Sequence, residues 1–294
     1  MDPITELRGV SKDTDFFIGI DSDGCVFDSM EIKQKECFCP NFIKYYGLQE
    51  VSKYARETWE FVNLYSKTRG CNRFLAVLFS LDLLRHRREV QARNADIPQL
   101  PQLRAWIEEE SKLGNPALQA KVDATGDAEL EMVYAWSIDN NARVTDMVHG
   151  LPPFPGVADF LAAVQGKADA IVVSQTPLEA LVREWEENKI DHLIKMIAGQ
   201  EHGTKTEHLK HAASDRYAAE RILMIGDAPG DYKAAKGNDA MFFPIVPGRE
   251  EESWAGLNAE GLERFFNGTF AGEYQSQLLA AFDEALPENP PWQS

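Results

Sequence analysis

A short apolar run, Phe16-Phe17-Ile18-Gly19-Ile20, stops abruptly at Asp21-Ser22-Asp23-Gly24, and this junction constrains the fold more than any other stretch of the chain. Mostly β-prone residues ended by Asp, Ser and Gly predict a buried strand followed by a turn. Open α/β sheets bind their ligands beyond the carboxyl ends of their strands. Two acids at such an end therefore sit where chemistry would be. Taken alone, Asp21 and Asp23 also fit a plainer role as helix caps, because Asp after a strand is a common N-cap.

The strand's partners lie far along the chain. Residues 29–148 are rich in helix formers, with apolar residues three and four apart, as in Phe74, Leu75, Leu78, Leu81 and Leu84, and this spacing predicts helices. Leu151-Pro152-Pro153-Phe154-Pro155-Gly156 then breaks the chain, and α/β alternation begins. The pattern predicts a helix through Val157, Phe160, Leu161 and Val164, a strand over 170–173 and a helix over 178–188. A weak apolar stretch follows over 193–198, then a helix over 205–213, a strand over 222–225, a short helix ending near Gly237 and a strand over 240–243. Residues after Gly248 read as a polar helical tail with a frayed end at 287–294. The expected organisation is an α/β core from 1–28 and 149–294, interrupted by a helical cap over 29–148 that can close over a substrate and exclude water.

Charge and cysteines narrow the function. With 30 Lys plus Arg against 47 Asp plus Glu, the formal charge is −17. Such a surface repels a phosphate backbone, so nucleic acid is not an expected partner and a small substrate is. No apolar run approaches the roughly 18 residues needed to span a bilayer, and no signal-like segment opens the chain, so no membrane association and a cytoplasmic location are expected. Cys25, Cys37, Cys39 and Cys71 show no Cys-x-x-Cys or zinc-like spacing and are expected to be reduced, packed thiols.

Four strand ends finish in polar residues of complementary type: Asp21 and Asp23, then Ser174, then Lys205, then Gly226-Asp227 with Asp231. Three of these four carboxylates, drawn from two strand ends, suit a hard, oxygen-preferring cation such as Mg²⁺, and a hydroxyl and an ammonium suit phosphoryl oxygens. Individually, Ser174 also fits a helix cap and Lys205 a solvated charge, with Lys195 and Lys210 as alternative lysines.

These motifs, in this order, resemble the haloacid dehalogenase superfamily of phosphotransferases. The resemblance covers about residues 15–28 and 150–247, and the position of the insert is similar to the helical cap of the subclass that includes phosphoglycolate phosphatase and β-phosphoglucomutase. It implies an α/β, Rossmann-like parallel-sheet core and a Mg²⁺ cofactor. It further implies that Asp21 is the nucleophile that forms an aspartyl-phosphate and that Asp23 is the general acid and base. Ser174 and Lys205 would neutralise phosphoryl oxygens, while Asp21, Asp227, Asp231 and the backbone carbonyl of Asp23 would hold the metal. The carboxylate at Asp23 favours phosphomonoesters of a small metabolite over carbon–halogen or carbon–phosphorus bonds.

Substrate contacts are expected from Gln175, from Lys33 just after the first linker, and from Arg69, Asn72 and Arg73 in the turn Arg69-Gly70-Cys71-Asn72-Arg73, which also reads as an ordinary surface loop. The run Arg85-His86-Arg87-Arg88 reads as a solvated helix face, and His202, His208 and His211 as helix-surface histidines. Competing functions are a sugar phosphomutase, a non-catalytic sensor of a phosphorylated ligand, and a nucleotide hydrolase suggested by Gly199-Gln200-Glu201-His202-Gly203-Thr204-Lys205-Thr206. The last places Thr204 where a P-loop needs glycine.

Overall fold

A computed structural model describes residues 2–293. The chain divides into two compact units, one built from the residues up to Met30 with Gly150–Leu286, the other from Glu31–His149 with the last residues from Pro287.

In the first unit, five parallel strands form one sheet in the order β3-β2-β1-β4-β5. They are β1 (Phe16–Ile20), β2 (Ala168–Val173), β3 (Met196–Ala198), β4 (Ile222–Gly226) and β5 (Met241–Pro244). β1 is central, pairing Ile20 with Val172 on one side and with Ile225 on the other. Strands covered by helices on both faces read as continuous apolar runs, which is why β1, β2 and β4 stand out in the sequence. The period of two sends Ile18, Ile20, Leu223 and Ile225 into one core with Val157, Phe160, Trp185 and Trp254, and Phe17, Ile171 and Met224 into the other with Leu209, Ala213 and Ala235. The Trp254 and Phe160 rings meet edge to face at 5.2 Å, and truncating such an aromatic to alanine costs about 3–5 kcal/mol.

The segment after Gly248 is helical as expected, over Glu250–Gly256, Leu262–Asn267 and Glu273–Ala285. It is less polar in effect than its composition suggests, because Trp254, Leu257, Phe265 and Phe270 complete the first core. The predicted helix over 205–213 is α-helical only across Lys205–Leu209 and widens into a π-turn over Lys210–Ser214. A helix at Pro3–Gly9 was not anticipated. Asp2 caps it by accepting from the Thr5 amide at 3.1 Å, Pro3 occupies its first turn, and Leu7 buries against the second core.

The second unit contains helices and no strands among its described residues, the longer ones being Cys39–Tyr45, Ser52–Leu64, Arg73–Arg85, Pro101–Glu109, Asn115–Thr125 and Ala128–Met147. An aromatic cluster fills it: Phe42 lies 4.7 Å from Trp59, Trp59 6.2 Å from Trp136, and Phe74 5.2 Å from Trp106. Cys37 and Cys39 are buried here as free thiols, with burial pushing Cys39 up to about 12. Residues 287–293, read from the sequence as a frayed end of the core, group with this unit: the Trp292 ring sits 5.5 Å from Phe61 and 4.2 Å from the Arg87 guanidinium. No described helix is long and apolar enough to cross a membrane.

Candidate active site

The site grows from two neighbouring strand ends. The Asp21 amide donates to the Ile225 carbonyl at 2.9 Å, continuing the ladder one residue past β1, and its carboxylate accepts from the Ser22 amide at 2.8 Å. Beside it, β4 ends at Gly226 and hands over to Asp227, after which Pro229 opens the helix Pro229–Lys236. Asp231, in the first turn of that helix, accepts from the Asp227 and Ala228 amides at 3.1 and 3.0 Å, so the helix start and its dipole hold it. The fit leaves no room for a side chain at Gly226, where a Cβ would lie 2.4 Å from the Asp231 Cγ.

Asp21, Asp227 and Asp231 are each at most 4% exposed, and each offers a carboxylate oxygen within 4.8 Å of the others. Lys205 reaches in from the helix Lys205–Leu209, whose start is fixed by a reciprocal cap between Thr204 and Glu207. Its ammonium lies 2.7 Å from Asp21 Oδ2 and 2.6 Å from Asp231 Oδ1. Burial, and next the charge of Asp231, push the Asp21 carboxyl well above the usual range despite Lys205. Burial opposes the Lys205 charge, but the Asp21 and Asp231 carboxylates outweigh it and hold the ammonium more firmly protonated than usual. Three carboxylates against one ammonium leave a buried excess of negative charge. An all-oxygen donor set of this kind fits a hard divalent cation such as Mg²⁺.

Asp23 is set apart. Its carboxylate is not among the clustered three; it accepts from the Thr176 hydroxyl at 2.5 Å and from the Ser29 hydroxyl. Ser174, buried at the end of β2, donates its amide to the Ala198 carbonyl at 3.0 Å and accepts from the Thr176 amide at 3.2 Å. Gln175 is exposed and donates to the Gly203 carbonyl at 2.7 Å, tying the turn after β2 to the loop before Lys205. Of the alternative lysines, Lys195 pairs instead with Asp13 at 2.6 Å and Asp169 at 2.5 Å. Thr176 and Ser29 were missed in the sequence, where a Ser or Thr just past a strand or ahead of a helix reads as a cap.

Lys33, Arg69, Asn72 and Arg73 all lie in the helical unit. Asn72 caps the helix Arg73–Arg85 by accepting from Phe74 at 3.0 Å and donates to the Leu113 carbonyl, while Arg69 is buried and donates to Leu64 at 2.9 Å. Arg73 bonds the Ser137 hydroxyl and Asn141 at 3.0 and 2.7 Å, and burial lowers it to about 10. The turn is thus tied into its own unit rather than lying loose on its surface. The run at 85–88 is not one solvated face: its helix ends at Arg85, and Arg87 is buried with Glu57 2.7 Å away. Two of the histidines are likewise internal. His202 accepts from Gly199 at 3.2 Å and faces Glu6, and His208 is buried, where desolvation, then His202 and Lys205, depress it to about 4.

No protein-family model and no curated protein matches the sequence. Solved structures do. A provisionally named phosphoglycolate phosphatase from Lactobacillus delbrueckii subsp. bulgaricus is 14% identical, with a TM-score of 0.50 over 86% of this chain and 98% of its own. A haloacid dehalogenase-like hydrolase from Streptococcus pneumoniae is 14% identical, with a TM-score of 0.45 over 85% and 98%. CbbY from Rhodobacter sphaeroides, solved with phosphate, is 16% identical, with a TM-score of 0.43 over 79% and 85%. The sheet order, with β1 central between β2 and β4, and the likeness to the first of these agree: the chain has the haloacid dehalogenase-like α/β fold.

Proposed function

We propose that the protein is a Mg²⁺-dependent phosphatase of a small phosphomonoester, acting through an aspartyl-phosphate on Asp21. The observation that carries this reading is the unequal treatment of two acids only two residues apart. Asp21 is buried among carboxylates and gripped by Lys205, whereas Asp23 stands outside that cluster on two hydroxyls. Carboxylates in divergent environments take divergent roles.

In this reading the Asp21 carboxylate attacks phosphorus, a P–O bond to Asp21 forms, and the bond to the ester oxygen breaks. Asp23 delivers a proton to the departing oxygen, then removes one from the water that attacks the aspartyl-phosphate, work typically worth about 10²–10⁴ in rate. Ser174 and Lys205 bind phosphoryl oxygens. Asp21, Asp227 and Asp231, with the Asp23 carbonyl, would hold Mg²⁺, whose chemistry is to neutralise phosphoryl charge so that an anionic nucleophile can approach. Four free cysteines agree with a reducing, cytoplasmic setting.

The test is phosphate release from a panel of phosphorylated metabolites. Turnover that needs Mg²⁺, stops with EDTA and is lost in Asp21→Asn supports the proposal. Isomerised sugar phosphate without phosphate release would make it a mutase, and binding without turnover would make it a sensor.

A further inference from the structure

Trp185, which belongs to none of the four motifs, reaches the catalytic loop through its indole. Its Nε1–H donates to the Ser22 hydroxyl oxygen at 3.0 Å, and Ser22, the residue between Asp21 and Asp23, is fully buried. The period of two explains the contact. Ile18, Ile20 and Ser22 form one row, and Ile18 and Ile20 lie in the core that also contains Trp185, while Asp21 falls on the opposite row with Phe17 and Gly19. The helix Leu178–Glu187 therefore grips the loop from the side opposite the row that carries Asp21.

Ser22 is also the loop's backbone hub. Its carbonyl accepts from the amides of Cys25, Val26 and Phe27 at 3.3, 2.9 and 3.1 Å, closing the turn that carries Asp23 out of the sheet. Its hydroxyl lies 3.4 Å from Glu184 Oε2, one residue from Trp185. The Trp185 ring packs edge to face on Phe27 at 6.0 Å, at the far end of the same turn. Asp21 has anchors of its own in the ladder bond to Ile225 and the Lys205 ion pair. Thr176 and Ser29 hold the Asp23 carboxylate, but its backbone lies beyond the strand, so where the Asp23 main chain sits relative to Asp21 depends on how the turn is held.

We infer that Trp185 is a positioning residue, which through the Ser22 hydroxyl fixes the turn that presents Asp23 to the leaving oxygen. The inference rests on the phosphatase reading and adds to it a residue outside the motifs. Because proton delivery matters most when the leaving group is basic, losing this grip affects poor leaving groups more than good ones.

The experiment compares phenyl phosphate, which needs a proton, with p-nitrophenyl phosphate, which hardly does, in wild type, Trp185→Phe, Ser22→Ala and the double variant. Trp185→Phe keeps an aromatic ring and removes the N–H. The expected result is a kcat loss on phenyl phosphate of about 10-fold or more, against less than about 3-fold on p-nitrophenyl phosphate, a fraction of the usual general-acid contribution. KM stays near wild type, and Trp185→Phe adds nothing on top of Ser22→Ala. Should Trp185→Phe fail to fold, Ser22→Ala, which removes a single oxygen, carries the same leaving-group comparison. Equal losses on both substrates, additive variants or unchanged kinetics overturn the inference while leaving the phosphatase reading intact. A wild-type protein inert to both substrates counts against the reading itself.

Discussion

Gly226→Ala tests how the acid cluster is built. The added methyl would lie 2.4 Å from Asp231 Cγ and 2.5 Å from its Cβ and Oδ2, so Asp231 or β4 must move by roughly 1 Å or more to reach ordinary carbon contact. Neither yields easily: Gly226, at the end of β4, is paired with Pro244 of the edge strand β5 and accepts from the Ile245 amide at 2.8 Å, and Asp231 is fully buried with two amides bound to its Oδ2. Overpacking of this kind costs about 1–3 kcal/mol, and each amide bond to a charged acceptor is worth about 1.5–3 kcal/mol. Allowing for partial relaxation, the expected loss is about 2–5 kcal/mol in urea unfolding. Because the displaced group is one of the three clustered acids proposed to hold Mg²⁺, the stabilisation produced by added Mg²⁺ should shrink in parallel. A variant within about 0.5 kcal/mol of wild type, the scale of ordinary surface changes, with undiminished Mg²⁺ stabilisation, would refute the reasoning.

Three further outcomes follow from the same geometry. Lys205→Met leaves Asp21 and Asp231 without their shared ammonium and should cost about 3–5 kcal/mol in metal-free urea unfolding at neutral pH, with phosphatase activity down at least about 10²-fold. Thr176→Val removes a hydroxyl from Asp23; losing about 1.5–3 kcal/mol of charge-assisted bonding corresponds to a kcat about 10- to 100-fold lower at unchanged KM. The raised Asp21 carboxyl sets a pH dependence. Its stabilising contribution is complete below the unfolded carboxylate value and is lost as pH rises through the raised folded value. In EDTA the Tm of wild type, read against Asp21→Asn so that the opposing loss from buried His208 as pH falls through about 6.5 is common to both, should therefore climb as pH is lowered from about 8 toward about 5.5, and in Mg²⁺, which favours the charged form, that slope should flatten; a wild-type Tm in EDTA that falls relative to the variant over this range would contradict the assignment.

The sheet and the acid cluster were legible because their signals are local. A buried parallel strand is a continuous apolar run, and Gly226-Asp227 with Asp231 places two acids at the mouth of one helix by spacing alone. What stayed hidden depends on residues distant in sequence. Lys205 and Lys195 look alike until Asp169 claims Lys195 and Asp21 claims Lys205. Thr176 looks like a cap until Asp23 comes within 2.5 Å of it. Arg73 reads as a loop cation because Gly70 signals a turn, yet its partners Ser137 and Asn141 come from another helix. His208 sits on a short helix that reads as exposed, and only the docking of that helix on the sheet buries it. The Pro3–Gly9 helix was the exception: Asp2 followed by Pro3 is a local cap signal, and it went unread.

The central claim is that Asp21 becomes covalently phosphorylated. The direct measurement is acid quenching of Asp23→Asn protein after exposure to ³²P-labelled p-nitrophenyl phosphate and Mg²⁺, followed by peptide mapping. The good leaving group lets phosphorylation proceed without Asp23, and the missing base slows hydrolysis, so label should accumulate on the peptide containing Asp21 and be released by hydroxylamine, as an acyl phosphate is. Label that persists when Asp21→Asn is added, that maps to another peptide, or that never forms while phosphate is still released would contradict it.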